Sequence, residues 1–337
     1  MSAAWGATIF GLGGCVLTPD ERAFFRDADP FGFILFARNV ESPDQLGRLS
    51  AQLREAVGRD APVFIDQEGG RVQRLGPPHW RQWDPPLDAM RRAGDAARAE
   101  RVMWLRMLVI ASELRAVGID ANCAPVADIA CPATHPFLAD RCYGSDPATV
   151  TTLARAAAEG LLAGGVLPVV KHIPGHGRAV ADSHHALPRV DADRAALDSV
   201  DFAPFRALNH LPIAMTAHVV YSAVDPAPAT LSAPVIRLIR DEIGFGGLLM
   251  SDDLAMKALS GPLGRRTSAA LAAGCDLALL CSGEMAEMRE VAEAAGRMSA
   301  LAMARARRAL ALRGGDVSID IGAVTAELRS LAPQEGA

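Results

Sequence analysis

Two segments of this sequence place side chains that can move protons or attack carbon directly after apolar runs. Residues 171–184 read Lys-His-Ile-Pro-Gly-His-Gly-Arg-Ala-Val-Ala-Asp-Ser-His and follow the apolar residues 167–170. Residues 247–253 are mostly apolar and end in two aspartates. A buried strand that ends in Lys-His and continues into a glycine-rich loop predicts a rigid platform that carries a movable acid/base group.

Asp182 and His184 can form one acid/base unit. They are two residues apart, so in an extended or turn conformation the carboxylate reaches the imidazole. A neighbouring carboxylate favours the imidazolium and fixes its tautomer, which makes the histidine a proton donor near neutral pH. The alternative is a loop with incidental polar residues, and His185 receives no role in either interpretation.

Asp252 and Asp253 supply the second half of this chemistry. Side chains alternate along a strand, so we expect only one of the two carboxylates to face the axis of the fold. The apolar run before them favours a site at a strand end. The alternative is a pair of surface or helix-capping carboxylates.

The segment 66–74 offers a carboxylate beside two cations. Asp66 precedes a double-glycine turn, and Arg71 and Arg74 follow the turn. Guanidinium donors next to a carboxylate acceptor suit the vicinal hydroxyls of a sugar. The alternative is a salt-bridged loop that binds nothing.

Five further residues have two interpretations each. Lys171 and His172 either contact a ligand or form a solvated strand end. Arg141 lies in a cysteine-rich connection, and its position alone predicts a surface residue. His176 and His218 are either site residues or structural histidines that hold loops.

The composition excludes several classes of protein. Half of the 337 residues are hydrophobic, and the formal net charge is −5, which argues against a nucleic-acid or anionic-membrane partner. The six cysteines form no CxxC pair and suit reduced thiols in the cytoplasm. No Lys or Arg precedes Cys15, so we expect no signal peptide, and no apolar run is long enough for a membrane span.

Eight apolar runs, each followed by polar residues, alternate with helical patterns. Runs buried on both sides predict parallel strands, and eight of them predict a closed (β/α)8 TIM barrel with its site at the carboxyl ends of the strands. The predicted strands are residues 7–11, 32–36, 62–65, 119–124, 167–170, 213–216, 248–250 and 277–281.

Helix signals lie between these runs. Ser42-Pro43-Asp44-Gln45 has the form of a capping box and Gly58 suits the helix end, while Asp146-Pro147 and Ser232 begin two more helices. Residues 75–118 predict a loop and a long helix. No break in composition marks a second domain, so we predict one barrel over residues 1–313 and a C-terminal helix with a frayed tail over 314–337.

At these residues the chain resembles the family 3 glycoside hydrolases, specifically the bacterial single-domain β-N-acetylhexosaminidases of peptidoglycan recycling. The resemblance covers about residues 7–285, nearly the whole barrel. It departs from the family pattern at Ile173, where phenylalanine is usual, and at Arg178. The matching segments are Asp66 to Arg74, Arg141-Cys142-Tyr143, Lys171 to Gly177, Asp182-Ser183-His184 and Ser251 to Leu254.

The resemblance implies a role for each candidate. Asp252, rather than Asp253, would be the nucleophile of a retaining mechanism, and His184 would be the general acid/base with Asp182 as its partner. The residues that would hold N-acetylglucosamine are Asp66, Arg74, Arg141, Lys171 and His172. The implied substrate is N-acetylglucosaminyl-1,6-anhydro-N-acetylmuramoyl peptide, cleaved from its non-reducing end in the cytoplasm.

Three other functions stay open at this point. A β-N-acetylglucosaminide phosphorylase could use the same histidine, because a histidine does not repel phosphate as a carboxylate does. A metal-dependent hydrolase could use the strand-end histidines and Asp252, although Pro174 and Gly175 spoil the spacing of His172 and His176. A sugar-binding barrel without activity is the third. We expect a small-molecule substrate, no cofactor, no metal and no nucleic-acid or membrane partner. The sequence does not determine the oligomeric state, although we favour a monomer.

Overall fold

Eight parallel strands close into a barrel, as predicted. The structure is a computed structural model that describes residues 4–181, 186–314 and 319–333. Each predicted run overlaps one barrel strand, and the last strand pairs with the first. The barrel strands are β1 (Gly6–Phe10), β2 (Pro30–Leu35), β3 (Val63–Ile65), β6 (Ala121–Asn122), β7 (Leu167–Ile173), β9 (Ile213–Thr216), β11 (Leu248–Asp253) and β12 (Leu277–Leu280).

Among the described residues, four short strands lie outside the barrel. They form an antiparallel hairpin after β3 and a parallel pair beside the loops of β7 and β9. These strands are β4 (Gln67–Gly69) with β5 (Val72–Gln73), and β8 (Arg189–Val190) with β10 (Val220–Tyr221). The hairpin matters for the site because it carries the residues that follow Asp66.

The barrel strands are buried on both faces. In β11, Leu248 and Met250 join a cluster in the barrel interior, whereas Leu249 packs outward against the helices. Burial on both faces explains why the strands are continuous apolar runs. Side chains of the helix at residues 300–310 pack against the interior cluster.

Helices connect the strands and surround the barrel. In the described ranges they are α1 (Pro19–Ala28), α2 (Pro43–Val57), α3 (Pro86–Ala93), α4 (Ala96–Ala116), α5 (Pro136–Ala139), α6 (Pro147–Ala163), α7 (Arg194–Ala196), α8 (Ala203–Ala207), α9 (Ala233–Arg237), α10 (Leu263–Ala273), α11 (Met285–Ala295), α12 (Ala300–Leu310) and α13 (Ile321–Leu331). Short 3-10 helices cover Ala37–Asn39 and Ala229–Leu231, and π-helical turns extend α7 and α9 over Leu197–Asp201 and Leu238–Glu242.

The predicted caps are largely confirmed. The Ser42 hydroxyl accepts a hydrogen bond from the Gln45 amide, and Gly58 ends α2 in the left-handed conformation at φ 64°. The capping box itself is wrong, because the Gln45 side chain accepts from the Glu41 amide instead of that of Ser42. Asp146 caps α6 through the Thr149 amide.

The end of β7 and the C-terminal limit of the barrel were both predicted from the sequence. Strand β7 ends at Ile173, one residue beyond the Lys171-His172 pair at which we expected it to end. At the C-terminus, α13 is joined to α4 by the ion pair of Arg101 with Glu327, and the domain limit at residue 313 stays a prediction. All six cysteines are free, and no helix in the described ranges has the length and apolarity to cross a membrane.

Candidate active site

A cavity of about 350 Å³ lies at the carboxyl ends of the barrel strands. This is the end at which a (β/α)8 barrel assembles its active site from the loops that follow the strands. The cavity is lined by the predicted residues Asp66, Arg74, Arg141, Lys171, His172 and Asp252, and also by Arg71, His176 and Asp253. Residues as far apart in the sequence as Asp66 and Asp253 are brought together here.

The segment that begins the hairpin after β3 brings the carboxylates of Asp66 and Glu68 to the same lysine, Lys171. Asp66 and Glu68 are two residues apart in extended backbone, so their side chains lie on the same face. Between them, the Gln67 side chain fixes the hairpin by accepting from the amides of Arg74 and Leu75. The following turn needs Gly69, whose φ is 102° and where a Cβ would lie 1.8 Å from an Arg106 nitrogen.

Five charged side chains form a continuous chain, and all of them except Glu68 line the cavity. Lys171 Nζ lies 2.9 Å from Asp66 Oδ1 and 2.7 Å from Glu68 Oε1. Arg141 donates two parallel hydrogen bonds of 2.8 Å to Glu68, and Arg74 Nη2 lies 3.0 Å from Asp66 Oδ2. The order Arg74–Asp66–Lys171–Glu68–Arg141 alternates in charge, and we call it the charge chain.

The charge chain keeps its members ionised although they are buried. Burial opposes ionisation of Asp66, but Lys171 and Arg74 outweigh it and hold the pKa of Asp66 below its ordinary value. Burial likewise opposes the Glu68 charge, yet Arg141 and Lys171 lower the pKa of Glu68 to about 2. The two carboxylates in turn raise the pKa of Lys171 against its burial. The wall therefore presents fixed donors and acceptors to a polar ligand at neutral pH.

Asp128 holds two histidines of the loop that follows β7. Its carboxylate contacts His172 Nδ1 at 2.7 Å and accepts from the amides of His172 and His176. Burial opposes the Asp128 charge, but His172 and the other contacts hold its pKa below the ordinary value. Asp128 thereby fixes the ring of His172 with its other edge toward the cavity.

His176 differs from a structural histidine. It is 1% exposed, and neither ring nitrogen has a hydrogen-bond partner among the described residues. Its ring packs edge-on against Phe137 and His172. Burial, with His172 beside it, lowers the pKa of His176 to about 4, so the ring is neutral at pH 7. By contrast, His218 is satisfied at both nitrogens by Thr230 and the Asp253 carbonyl.

A β-bulge places Asp252 and Asp253 together at the cavity. Met250 pairs with Leu277, but Asp253 pairs with Leu279, so β11 uses three residues where β12 uses two. A bulge of this kind re-aims side chains and interrupts their alternation. Both aspartates consequently line the cavity, but the carboxylate of Asp253 accepts from the backbone amides of Ala255 and Cys281. The expectation that only one of the two carboxylates faces the axis stays a prediction.

The two adjacent carboxylates have opposite environments. Burial would raise the pKa of Asp252, but His172, the hydrogen bond from the Asp253 amide and Lys171 hold it below its ordinary value, so Asp252 is ionised at pH 7. Burial raises the pKa of Asp253 to about 6, although the amides of Ala255 and Cys281 donate to its carboxylate. Asp252 accepts only from the Asp253 amide among the described residues, so its carboxylate is the more available of the two.

The structure describes most of the predicted site residues, but not all of them. Asp182 and His184 lie outside the described residues, so their pairing stays a prediction. The surface interpretation of Arg141 is wrong, because Arg141 is 6% exposed and bound to Glu68. Arg178 pairs with Asp201 at 2.6 Å.

Sequence reasoning missed Glu68 and Asp128. Glu68 had a signal, since it lies two residues from Asp66 and so shares its face. Asp128 follows the fourth strand run, but nothing in the sequence indicates that it reaches the loop after β7. Within residues 4–181, 186–314 and 319–333, no group of three or more acidic, histidine or cysteine side chains is arranged to hold a metal ion.

The sequence matches the glycosyl hydrolase family 3 N terminal domain over residues 20–312. It is 41% identical to a beta-hexosaminidase of Alkalilimnicola ehrlichii over 282 residues, which are 82% of this chain and 81% of the relative. A beta-hexosaminidase of Pseudomonas aeruginosa is 39% identical over 281 residues, 82% of each chain.

Solved structures give the same result. NagZ from Neisseria gonorrhoeae, in complex with N-trifluoroacetyl-D-glucosamine, aligns with a TM-score of 0.86 at 30% identity and covers 98% of both chains. A family 3 beta-N-acetylglucosaminidase from Paenibacillus sp. str. FPU-7 aligns with a TM-score of 0.84 at 32% identity, over 97% of this chain and 67% of that one. The chain therefore belongs to glycosyl hydrolase family 3 and groups with its beta-hexosaminidases.

Proposed function

We propose that this protein is a retaining exo-β-N-acetylglucosaminidase. It removes terminal, non-reducing β-1,4-linked N-acetylglucosamine from anhydro-muropeptides and serves peptidoglycan recycling in the cytoplasm. The observation that carries the proposal is an ionised, available carboxylate, Asp252, in the same cavity as the charge chain. Membership of the family supports the hexosaminidase reaction.

The charge chain suits the hydroxyls of one terminal sugar. Its buried members, Lys171 and Glu68, are 2% and 0% exposed, so this wall is closed by protein. A sugar hydroxyl both donates and accepts, and the wall offers ammonium, guanidinium and carboxylate groups side by side. His172 adds a ring fixed by Asp128. A wall of this kind favours release of the end residue over cleavage within a polymer.

Asp252 is the proposed nucleophile. Retaining glycosidases form a covalent glycosyl-enzyme on one carboxylate while a second group protonates the leaving oxygen. A nucleophile must be ionised and unencumbered at the working pH, and Asp252 meets both conditions whereas Asp253 is bound to two backbone amides. Asp252 attacks the anomeric carbon, the glycosidic bond breaks, and water later displaces the enzyme.

His184 is the proposed acid/base, with Asp182 as its partner. Both assignments rest on the resemblance of residues 171–184 to the family pattern. The imidazolium gives its proton to the departing oxygen and then takes a proton from the attacking water. Asp182 stabilises the imidazolium in the first step, as an orienting carboxylate does in a catalytic triad.

Arg71 supports an anionic leaving group. Among the cavity cations it is the most exposed at 46%, against 25% for Arg74, 8% for Arg141 and 3% for Lys171. Its partner Asp140 lies 3.5 Å away, a longer contact than any in the charge chain. The muramoyl peptide carries carboxylates, and an exposed guanidinium beside the cavity is a suitable partner for one of them.

The test combines turnover, trapping and a matched control. Wild-type protein should release N-acetylglucosamine from a 4-nitrophenyl β-glycoside, and Asp252→Ala should lose turnover while keeping its circular dichroism spectrum. Asp44→Ala, an exposed aspartate in the first turn of α2, should behave as wild type. A fluorinated glycosyl donor should add one sugar mass to Asp252. Full activity of Asp252→Ala, or no adduct in wild type, would refute the nucleophile.

Two further measurements separate the alternatives. His184→Ala should lose less rate on a 4-nitrophenyl glycoside than on a poor leaving group, because an activated phenol needs little proton donation. Equal losses would argue against His184 as the acid. In phosphate buffer the product should be free sugar, and sugar 1-phosphate would identify a phosphorylase instead.

A further inference from the structure

Asp253 is held by four hydrogen bonds from other residues. Its carboxylate accepts from the amides of Ala255 and Cys281, both at 3.1 Å. Its carbonyl oxygen accepts from the Met256 amide at 3.1 Å and lies 2.9 Å from His218 Nε2. The remaining polar group, its amide, donates to Asp252 Oδ1 at 2.8 Å. In the described part of the chain this amide is the one hydrogen-bond donor to the Asp252 carboxylate, so the position of the Asp253 backbone sets where that carboxylate points.

His218 is in turn held by two threonines. His218 Nδ1 lies 2.8 Å from Thr230 Oγ1, which lies 2.7 Å from Thr216 Oγ1. All three side chains are fully buried. Thr216 ends β9, His218 follows it, and Thr230 lies in the 3-10 helix Ala229–Leu231.

Each hydrogen bond in this network can be assigned one donor and one acceptor. The Asp253 carbonyl can only accept, so His218 Nε2 carries a proton. Burial lowers the pKa of His218, which favours the neutral ring, so Nδ1 is an acceptor. Thr230 then donates to His218 at 2.8 Å in preference to the Ala217 carbonyl at 3.1 Å, and Thr216 donates to Thr230. Each group has a partner and a single role.

We infer that Thr216, Thr230 and His218 act through the backbone of Asp253 to position the carboxylate of Asp252. None of them needs to touch the substrate, so they are positioning residues. The network fixes the strand end at the bulge, where regular pairing with β12 is interrupted. The inference depends on the proposed role of Asp252 as nucleophile.

The experiment measures formation of the glycosyl-enzyme with the fluorinated donor, together with kcat, KM and inhibition by N-acetylglucosamine. Thr230→Val removes the hydroxyl at nearly constant volume. It should slow adduct formation and kcat about tenfold or more, because a misplacement of about 1 Å can cost about 100-fold. Inhibition by N-acetylglucosamine should stay as in wild type, since the charge chain is untouched. Thr230→Ser keeps the hydroxyl and should restore most of the rate.

Thr267→Val is the matched control. Thr267 is also fully buried, and its hydroxyl donates to the Leu263 carbonyl inside α10, away from the network. It should keep the wild-type rate. If Thr230→Val does not accumulate as folded protein, Thr216→Val and Thr216→Ser make the same comparison one hydrogen bond further from Asp253.

The outcomes distinguish the inference from the proposed function. No adduct in wild type refutes the nucleophile and the inference with it. A wild-type adduct that forms equally fast in Thr230→Val overturns the inference alone. A loss in Thr230→Val that serine does not restore, or that weakens N-acetylglucosamine binding equally, indicates general disruption and also overturns it.

Discussion

Replacing Glu68 with glutamine should destabilise the protein strongly. The change keeps the shape of the side chain and removes its charge from the charge chain, which then holds three cations and one anion. The folded pKa of about 2, against an ordinary 4.5, corresponds to about 3 kcal/mol of stabilisation at pH 7. Removal of one partner from a buried ion pair generally costs about 3–5 kcal/mol. We therefore expect a loss of this size, or roughly 5–10 °C in Tm.

The chain offers a matched control for this change. Arg101 and Glu327 form the same two-bond pair, at 2.7 and 2.8 Å, but both side chains are more than 40% exposed. Glu327→Gln removes the same charge from an exposed pair with one arginine, so its unfolding curve should overlay that of wild type. Denaturant unfolding of the three proteins at pH 7 then compares a carboxylate buried in the charge chain with an exposed one.

The stabilisation that Glu68 contributes should decrease as the pH falls. Because the pKa of Glu68 is lower in the folded than in the unfolded protein, its stabilisation is complete above about pH 4.5 and is lost as the pH falls toward 2. The difference between wild type and Glu68→Gln should narrow over that window. Equal stabilities of Glu68→Gln and Glu327→Gln at pH 7 would refute the argument that burial gives the charge chain its strength.

Three other variants test single contacts. The pKa of His176 is about 4 in the folded protein, against an ordinary 6.5, so wild type should lose stability as the pH falls from 6.5 to 4. His176→Phe should lose less stability over the same range. Parallel plots of Tm against pH for the two proteins would contradict this. Asp128→Asn weakens the hold on the His172 ring and should lower kcat/KM about tenfold. A hydrogen bond to a charged group contributes about 1.5–3 kcal/mol, which accounts for a loss of this order. Unchanged steady-state kinetics would rule out this role of Asp128. Arg71→Gln should lower kcat/KM up to roughly fivefold on an anionic muropeptide but not on a neutral glycoside, and equal losses on both would remove Arg71 from recognition.

The β-bulge in β11 links the fold to the proposed chemistry. It interrupts the regular alternation of side chains, and both Asp252 and Asp253 line the cavity. Asp252 accepts one hydrogen bond among the described residues, whereas the carboxylate of Asp253 is bound by backbone amides and its own amide donates to Asp252. Two identical residues in succession thus have pKa values shifted in opposite directions, because their surroundings differ.

The sequence by itself determined the barrel and most of the wall residues. Apolar runs buried on both faces and the cap residues are local signals, so the strands and helices near Ser42, Asp146 and Ser232 could be placed directly. Because parallel strands bring their carboxyl ends to one side, the polar residues after the runs had to meet there. The cavity contains Asp66, Lys171 and Asp252 for this reason.

Only the tertiary structure decided which of these residues pair and how they are charged. Lys171 contacts Asp66 across 105 positions, and Arg141 contacts Glu68 across 73, distances over which sequence carries no pairing signal. The same holds for Asp128 with His172 and for the extra residue in β11. A pKa depends on burial and on charges within a few ångströms, and both are properties of the packed molecule.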